Sequence, residues 1–233
     1  MAPGRRAPTP TLVLLVRHGA TATTGRELPA EGRGPGLSDA GSAQAEAVAR
    51  HIASWRTSMP ALSGIYASPL TRALETAAVM AGVLDLETTE EPGLVDCDAG
   101  EWSGTSLKEL NKRPEWPTVM HYPSGFAFPG GESLREMQTR AVSAVHILAS
   151  RHPGQSIVTV SHADPIKAVV ADALGLHLDL FQRLIVSPAS LSAIFYSGDG
   201  PRVLAVNWTA SSPLQLSGLT KVGRARPARP SGQ

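Results

Sequence analysis

Along the chain, short wholly apolar runs alternate with stretches in which apolar residues recur every three or four positions. The first run, Leu12-Val13-Leu14-Leu15-Val16, is bounded by Pro10 and Gly19 and predicts a strand buried on both faces. Ser156 to Val160, Leu191 to Tyr196 and Val203 to Asn207 predict three more, all short and rich in β-branched or aromatic residues. Ser63 to Ala67 carries a fainter version of the same signal. Between these runs the period changes. Ser38 to Trp55 opens on a Ser-Asp start signal and sets Ala43, Ala47, Val48, Ile52 and Trp55 toward one side of a helix. Ser133 to Ser150 opens on a capping box, Ser133 with Glu136, and aligns Leu134, Met137, Ala141, Val145 and Leu148. Pro165 to Leu174 predicts a third helix, with Asp164 as its N-cap and Gly175 as its stop.

Strands alternating with helices define an α/β chain. The expected fold is a three-layer α/β/α sandwich, its sheet mostly parallel with one antiparallel edge strand. That edge follows from the short connection Ser197 to Arg202, which suits a hairpin. Pro114 to Gly131 breaks the pattern. It holds four Pro, three Gly and the rings of Trp116, Tyr122, Phe126 and Phe128, and reads as a long aromatic loop.

Composition narrows the picture. The 233 residues are 42% hydrophobic, enough for a sizeable core, and one domain is expected over residues 11–210. Tails 1–10 and 211–233 are rich in Pro, Arg, Ala and Gly, lack apolar periodicity and are expected to be disordered. Together they carry six of the 21 basic residues and leave 15 against 20 acids between them, a net charge of −5. A nucleic-acid partner is therefore not expected. Nothing approaches a membrane span or a secretory signal, and the single Cys97 fits a reducing compartment, so a cytoplasmic protein is expected.

Candidate chemistry gathers at the ends of apolar runs. Arg17-His18 closes the first. Tyr66-Ala67-Ser68-Pro69-Leu70-Thr71-Arg72 follows the second, with Ser68 as a helix N-cap, Pro69 as first helical residue and Arg72 one turn in. Val160-Ser161-His162 repeats the arrangement. Alone, Arg72 fits a solvated helix charge and His162 a capping or core histidine. Together they fall at the carboxyl ends of strands, where open α/β sheets bind ligands. Imidazole is a nucleophile, and guanidinium grips phosphate through paired hydrogen bonds. The loop from Leu94 to Gly104 adds Asp96, Asp98, Glu101 and Trp102. Phosphoryl transfer onto a histidine needs an acid to protonate the leaving oxygen and then a base to activate water. No metal-ligand spacing is present, so neither metal nor cofactor is expected.

These motifs resemble those of the histidine phosphatase superfamily, in its phosphoglycerate mutase-like branch. Arg17-His18-Gly19, the Ser68 to Ala77 segment, the Leu94 to Gly104 loop and Ser161-His162 stand in the family's order. Leu37-Ser38-x-x-Gly41-x-x-Gln44 and Pro129-Gly130-Gly131-Glu132-Ser133 also match, and the likeness covers about residues 11–210. Gly175 to Arg183 is similar to a subgroup of phosphomutase-like proteins of high-GC bacteria. The resemblance implies His18 as a nucleophile forming phosphohistidine, and Arg17, Arg72, His162 and the Ala163 amide as phosphoryl-binding groups. Asp96 takes the acid–base position, and Thr24 stands where the family commonly has Asn. Ala20 replaces a common Glu or Gln. Asp96 is one methylene shorter than the usual Glu, with Asp98 and Glu101 as possible substitutes.

The resemblance implies a metal-independent phosphomonoesterase acting on a small phosphorylated metabolite. A phosphoglycerate-type mutase and a weakly active phosphate-binding module are the alternatives. Mutases of the family grip a carboxylate with extra cations from an insertion. Ser103 to Gly131 offers only Lys108, Lys112 and Arg113. Substrate choice falls to Trp116, His121, Tyr122, Phe126 and Phe128, which fit core packing equally well. Cys97, between two acids, reads as packing rather than thiolate. No membrane partner is expected, and the oligomeric state is not legible in the sequence.

Overall fold

A computed structural model describes residues 9–29 and 32–210; residues 1–8 and 211–233 of the expected tails lie outside them. In chain order the elements are β1 (Thr11–Arg17), α1 (Asp39–Ser54), β2 (Leu62–Ala67), α2 (Thr71–Leu84), β3 (Thr88–Glu90), α3 (Leu107–Leu110), α4 (Trp116–His121), α5 (Leu134–Arg151), β4 (Ser156–Ser161), α6 (Ala163–Ala173), β5 (Leu191–Ser197) and β6 (Gly200–Trp208).

The six strands form one sheet in the order β3-β2-β4-β1-β5-β6. The first four are parallel; β5 runs against β1, and β6 folds back on β5 as the edge hairpin. Successive residues of β1 face opposite layers, as a strand requires. Leu12, Leu14 and Val16 pack on α1 and α2, while Val13 and Leu15 pack on α5 and α6. The three layers are those expected. A third cluster lies beyond them, where Trp102, Phe126, Phe128, Leu110 and Val119 pack against Leu134, Met137 and Phe181. No helix among the described residues is long and apolar enough to cross a membrane.

Register sets up the site. Arg17 lies opposite Ser161 and Ala67 opposite Val160, so three neighbouring strands end at one level. The ladder continues one residue further, His18 N–H bonding Ser161 O at 2.9 Å and Ser68 N–H bonding Val160 O at 2.9 Å. His18, Ser68 and His162 therefore leave the sheet side by side.

The turn after His18 is fixed from both helices of its layer. Gly19 N–H donates to Thr76 Oγ1 at 3.0 Å, Ala20 N–H to Gln44 Oε1 at 3.0 Å, and Ala20 O accepts from Ser38 N–H at 2.9 Å. Ser38 is the N-cap of α1. A Cβ on Gly41 would strike the Ala20 carbonyl, so the helix start packs here only as glycine. Gly41→Ala is expected to cost roughly 1–3 kcal/mol through this overlap. Thermal denaturation reads it as a melting point lowered by several degrees; an unchanged melting point would contradict the close approach.

Four expectations are corrected. Ser68 is not the N-cap of α2 and Pro69 is not helical: α2 starts at Thr71 after Leu70, with no side-chain cap. The Ser68 hydroxyl pairs instead with His162, and Thr71 N–H bonds Arg33 O at 2.9 Å, which satisfies the first amide of the helix. Nor is Asp164 the N-cap of α6, which begins at Ala163 directly after His162. Pro165 falls within its first turn, where a missing N–H costs nothing. The Pro114–Gly131 segment is not one loop but holds α4 and a 3₁₀ turn at Pro123–Gly125. The three-residue strand β3 had no legible signal.

Candidate active site

His18 is 5% exposed and His162 fully buried, and their ring centroids are 5.2 Å apart. His18 Nδ1 lies 2.7 Å from Gly19 O. A carbonyl only accepts, so Nδ1 carries the proton and Nε2 keeps its lone pair. Arg72 Nε, 3.3 Å away, donates to that lone pair and orients the ring. His162 Nε2 pairs with Ser68 Oγ at 2.8 Å. Burial, followed by His162, Arg72 and Arg17, holds the His18 imidazole well below its usual 6.5. Burial, followed by Arg72, Arg17 and Arg140, does the same to His162. Both rings are neutral at neutral pH.

The two arginines converge on His18. Arg17 donates through Nη1 to Val186 O at 2.7 Å, and Arg72 through Nη2 to Asp96 Oδ2 at 2.9 Å. Asp96 Oδ2 also stands 3.6 Å from His162 Nδ1. Arg17 Nε, Arg72 Nη1 and His162 Nδ1 are buried with no hydrogen-bond partner among the described residues. Buried donors left unpaired are costly. The two guanidinium donors and the His162 ring beside one imidazole lone pair form a cradle suited to a tetrahedral anion.

All seven residues expected in the site, Arg17, His18, Thr24, Arg72, Asp96, His162 and Ala163, meet here. Six line one cavity of about 300 Å³, and His162 lies beneath it against His18. Ala163 opens α6, so its amide has no partner within the helix. The Thr24 hydroxyl is engaged locally, accepting Thr21 N–H at 2.9 Å and sharing a proton with Thr21 Oγ1 at 2.9 Å. Asp98 and Glu101 do not line this cavity and belong to the neighbouring groove. Of the aromatic candidates, Trp116 and Phe128 line the cavity, Phe126 is buried against Trp102, and His121 and Tyr122 are exposed. The Cys97 thiol is pushed far up by burial, then by Glu132 and Asp96, which leaves it a packing group. Among the described residues no three His, Cys, Asp or Glu side chains group as metal ligands.

One positioning residue was not legible in the sequence. Arg140 on α5 donates to Val95 O at 2.7 Å, Asp96 O at 2.7 Å and Gly93 O at 3.2 Å. Glu132 holds its other edge through two contacts of 2.7 Å. This fork clamps the backbone that carries Asp96 and gives the Glu132 motif its role. Arg140→Met is expected to lower kcat about 10–100-fold with little change in KM, because displacing a side chain of the reaction site by about 1 Å costs that much. Equal losses in variant and wild type upon Asp96→Ala would show Arg140 acting elsewhere.

The neutral histidines also set an acid limit. The unfolded chain takes up protons as pH falls below 6.5, whereas the folded imidazoles refuse them. Stability is therefore lost as pH falls through that range. The melting temperature should drop between about pH 7 and pH 5, where histidine linkage operates; a rise over that window would contradict the burial argument.

Fold and recess together define an α/β protein with a recess lined by Arg17, Arg72 and His18 at the carboxyl edge of its sheet. The chain belongs to the histidine phosphatase superfamily (branch 1), whose family profile matches residues 13–209. It is 33% identical over 204 residues to a bifunctional protein of Mycobacterium tuberculosis, covering 86% of this chain but only 55% of that protein. The chain thus spans about half the length of that relative. It is also 33% identical over 177 residues to phosphoserine phosphatase 1 of Hydrogenobacter thermophilus, covering 75% of this chain and 82% of the relative. The structure of Bacillus stearothermophilus YhfR superposes with a TM-score of 0.77 at 24% identity, covering 85% of this chain and 98% of that one. At that identity the likeness speaks for the fold.

Proposed function

We propose that the chain is a metal-independent phosphomonoesterase that works through a phosphohistidine on His18 and takes a small phosphorylated metabolite. The observation that carries this reading is the lone pair left on His18 Nε2 by the Nδ1–H to Gly19 O contact of 2.7 Å, in a site where Arg17 Nε, Arg72 Nη1 and His162 Nδ1 are buried without a partner among the described residues. In the first step Nε2 attacks phosphorus and the ester P–O bond breaks. Asp96 gives its proton to the leaving oxygen. Arg17, Arg72, His162 and the Ala163 amide hold the equatorial oxygens, where positioning and charge do most of the work. In the second step Asp96 takes a proton from water, the resulting hydroxide attacks phosphorus, and the P–N bond breaks to release phosphate and free His18.

Support for hydrolysis over mutase chemistry comes from the cations of Ser103–Gly131. Lys108, Lys112 and Arg113 are exposed, Arg113 lies 4.8 Å over Trp102, and none lines the cavity. The relative from Hydrogenobacter thermophilus carries a phosphatase name. Every charge this reaction uses comes from a side chain or amide of the chain, so activity should survive EDTA. Hydrolysis of p-nitrophenyl phosphate in EDTA tests the reading. A preparation inert toward it and toward sugar and acyl phosphates, yet interconverting phosphoglycerates, would overturn it in favour of a mutase.

A further inference from the structure

A second polar group lines the same cavity, away from the phosphoryl cradle. Ala163, Asp164 and Lys167 all face the cavity from α6, and Gln182 joins them from the 3₁₀ turn Leu178–Arg183. The Lys167 ammonium donates to Asp164 Oδ1 at 3.1 Å and to Gln182 Oε1 at 2.9 Å. It stands 5.7 Å from the centre of the Phe181 ring. Lysine donates only, so Gln182 turns its carbonyl to the ammonium and keeps its NH₂ for another partner. Among the described residues one ammonium N–H and Asp164 Oδ2 are likewise uncommitted. The wall thus presents a cationic donor and an anionic acceptor side by side.

The distance to the cradle is short. Lys167 is five residues from His162, a rise of about 7.5 Å along the helix. Helical side chains lean toward the N-terminus, and the contact back to Asp164 shows this one doing so. A group two or three bonds from the ester oxygen spans what remains.

Charge selects the group. Arg17 and Arg72 are the cations of the inner end, and Lys167 is the third cation lining the cavity. Asp164 offsets that third charge. A purely anionic second group would face the Asp164 carboxylate, and a purely cationic one the Lys167 ammonium. A zwitterion answers both. The lining residues Leu107, Trp116, Met120 and Phe128 are uncharged, and Glu27 adds a carboxylate but no cation to the cavity. Asp164 and Lys167 keep 33% and 15% of their side-chain surface exposed, so redirecting this helix pair toward a ligand loses little.

We propose that Asp164, Lys167 and Gln182 form a specificity site for the head of an O-phosphorylated α-amino acid. The ligand carboxylate binds Lys167 and the Gln182 amide, and its ammonium binds Asp164 Oδ2. This assignment rests on the phosphomonoesterase reading above. It differs from recognition of a phosphorylated hydroxy acid, whose second group is anionic alone.

Three esters on the full-length chain test it. O-phosphoserine and 3-phosphoglycerate share a carbon frame and differ by ammonium against hydroxyl; phosphoethanolamine keeps the ammonium and lacks the carboxylate. The wild type should favour O-phosphoserine over each of the others by at least about tenfold in kcat/KM, the size of one charge-assisted hydrogen bond. Asp164→Asn should collapse the preference over 3-phosphoglycerate, and Lys167→Met the preference over phosphoethanolamine. Each ratio is taken within one protein, so loss of folded enzyme cancels. Ratios near one in the wild type, a preference for 3-phosphoglycerate, or ratios unmoved by both substitutions would overturn the assignment. Turnover of p-nitrophenyl phosphate by the same wild-type preparation keeps the phosphatase reading standing in those cases. Its absence strikes that reading itself, and the assignment with it.

Discussion

His18→Ala is expected to abolish ester hydrolysis, with kcat falling by about 10⁵-fold or more, the scale of losing a nucleophile whose partners act with it as one unit. The side chain is 5% exposed and sits on the sheet's own ladder, its N–H bonding Ser161 O at 2.9 Å. Truncating it removes the attacking atom but leaves the backbone that aligns β1 with β4. The variant should therefore remain folded and still bind inorganic phosphate through Arg17, Arg72 and His162. Steady-state kinetics on p-nitrophenyl phosphate, with phosphate protection against thermal unfolding as the fold control, reads both effects. A folded variant retaining a tenth of wild-type kcat would remove His18 from the chemistry.

Arg72→Ala is the second large effect, at about 10³-fold in kcat/KM. Mutational loss of one preorganised donor costs about 10²–10³-fold, and Arg72 serves more than one purpose. It donates to His18 Nε2 at 3.3 Å, pairs with Asp96 at 2.9 Å and holds Nη1 unpartnered among the described residues. At 3% side-chain exposure its pair with Asp96 is poorly screened. Removing it leaves Asp96, 20% exposed, without its ion-pair partner and beside the neutral His162. Arg72→Lys keeps the charge and loses the fork, so it should recover a small part of the rate. Full rescue by lysine would show that charge alone, without the guanidinium fork, is enough.

Much of this site was legible in the sequence because the sheet is parallel. Apolar runs ending in Arg17-His18 and Ser161-His162 place their last residues at one edge whenever the strands align, and β1 and β4 are direct neighbours. The capping box at Ser133 was equally legible, since it depends on residues three apart. Most of what failed depended on partners distant in sequence. Ser68 looks like a cap locally, but His162, 94 residues on, claims its hydroxyl. Asp164 fails for a local reason: α6 starts at Ala163, so Asp164 already lies in its first turn and pairs with Lys167. The clamp of Arg140 on Asp96 spans 44 residues and has no local signature. Phe126 and Phe128 read equally well as binding or packing groups. The third cluster gives Phe126 to packing and leaves Phe128 with a foot in each. The three residues of β3 are too few for any period to show.

The central claim is that phosphate passes through His18. The most direct test quenches the Asp96→Asn variant into alkali during turnover of ³²P-labelled p-nitrophenyl phosphate. That ester needs little help from an acid to lose its phenolate, whereas the second step still needs a base, so the intermediate accumulates. An alkali-stable, acid-labile label is expected on the peptide containing His18, absent when His18→Ala is added. Turnover by the wild type with no such label in either protein, or with label on any other residue, would contradict it.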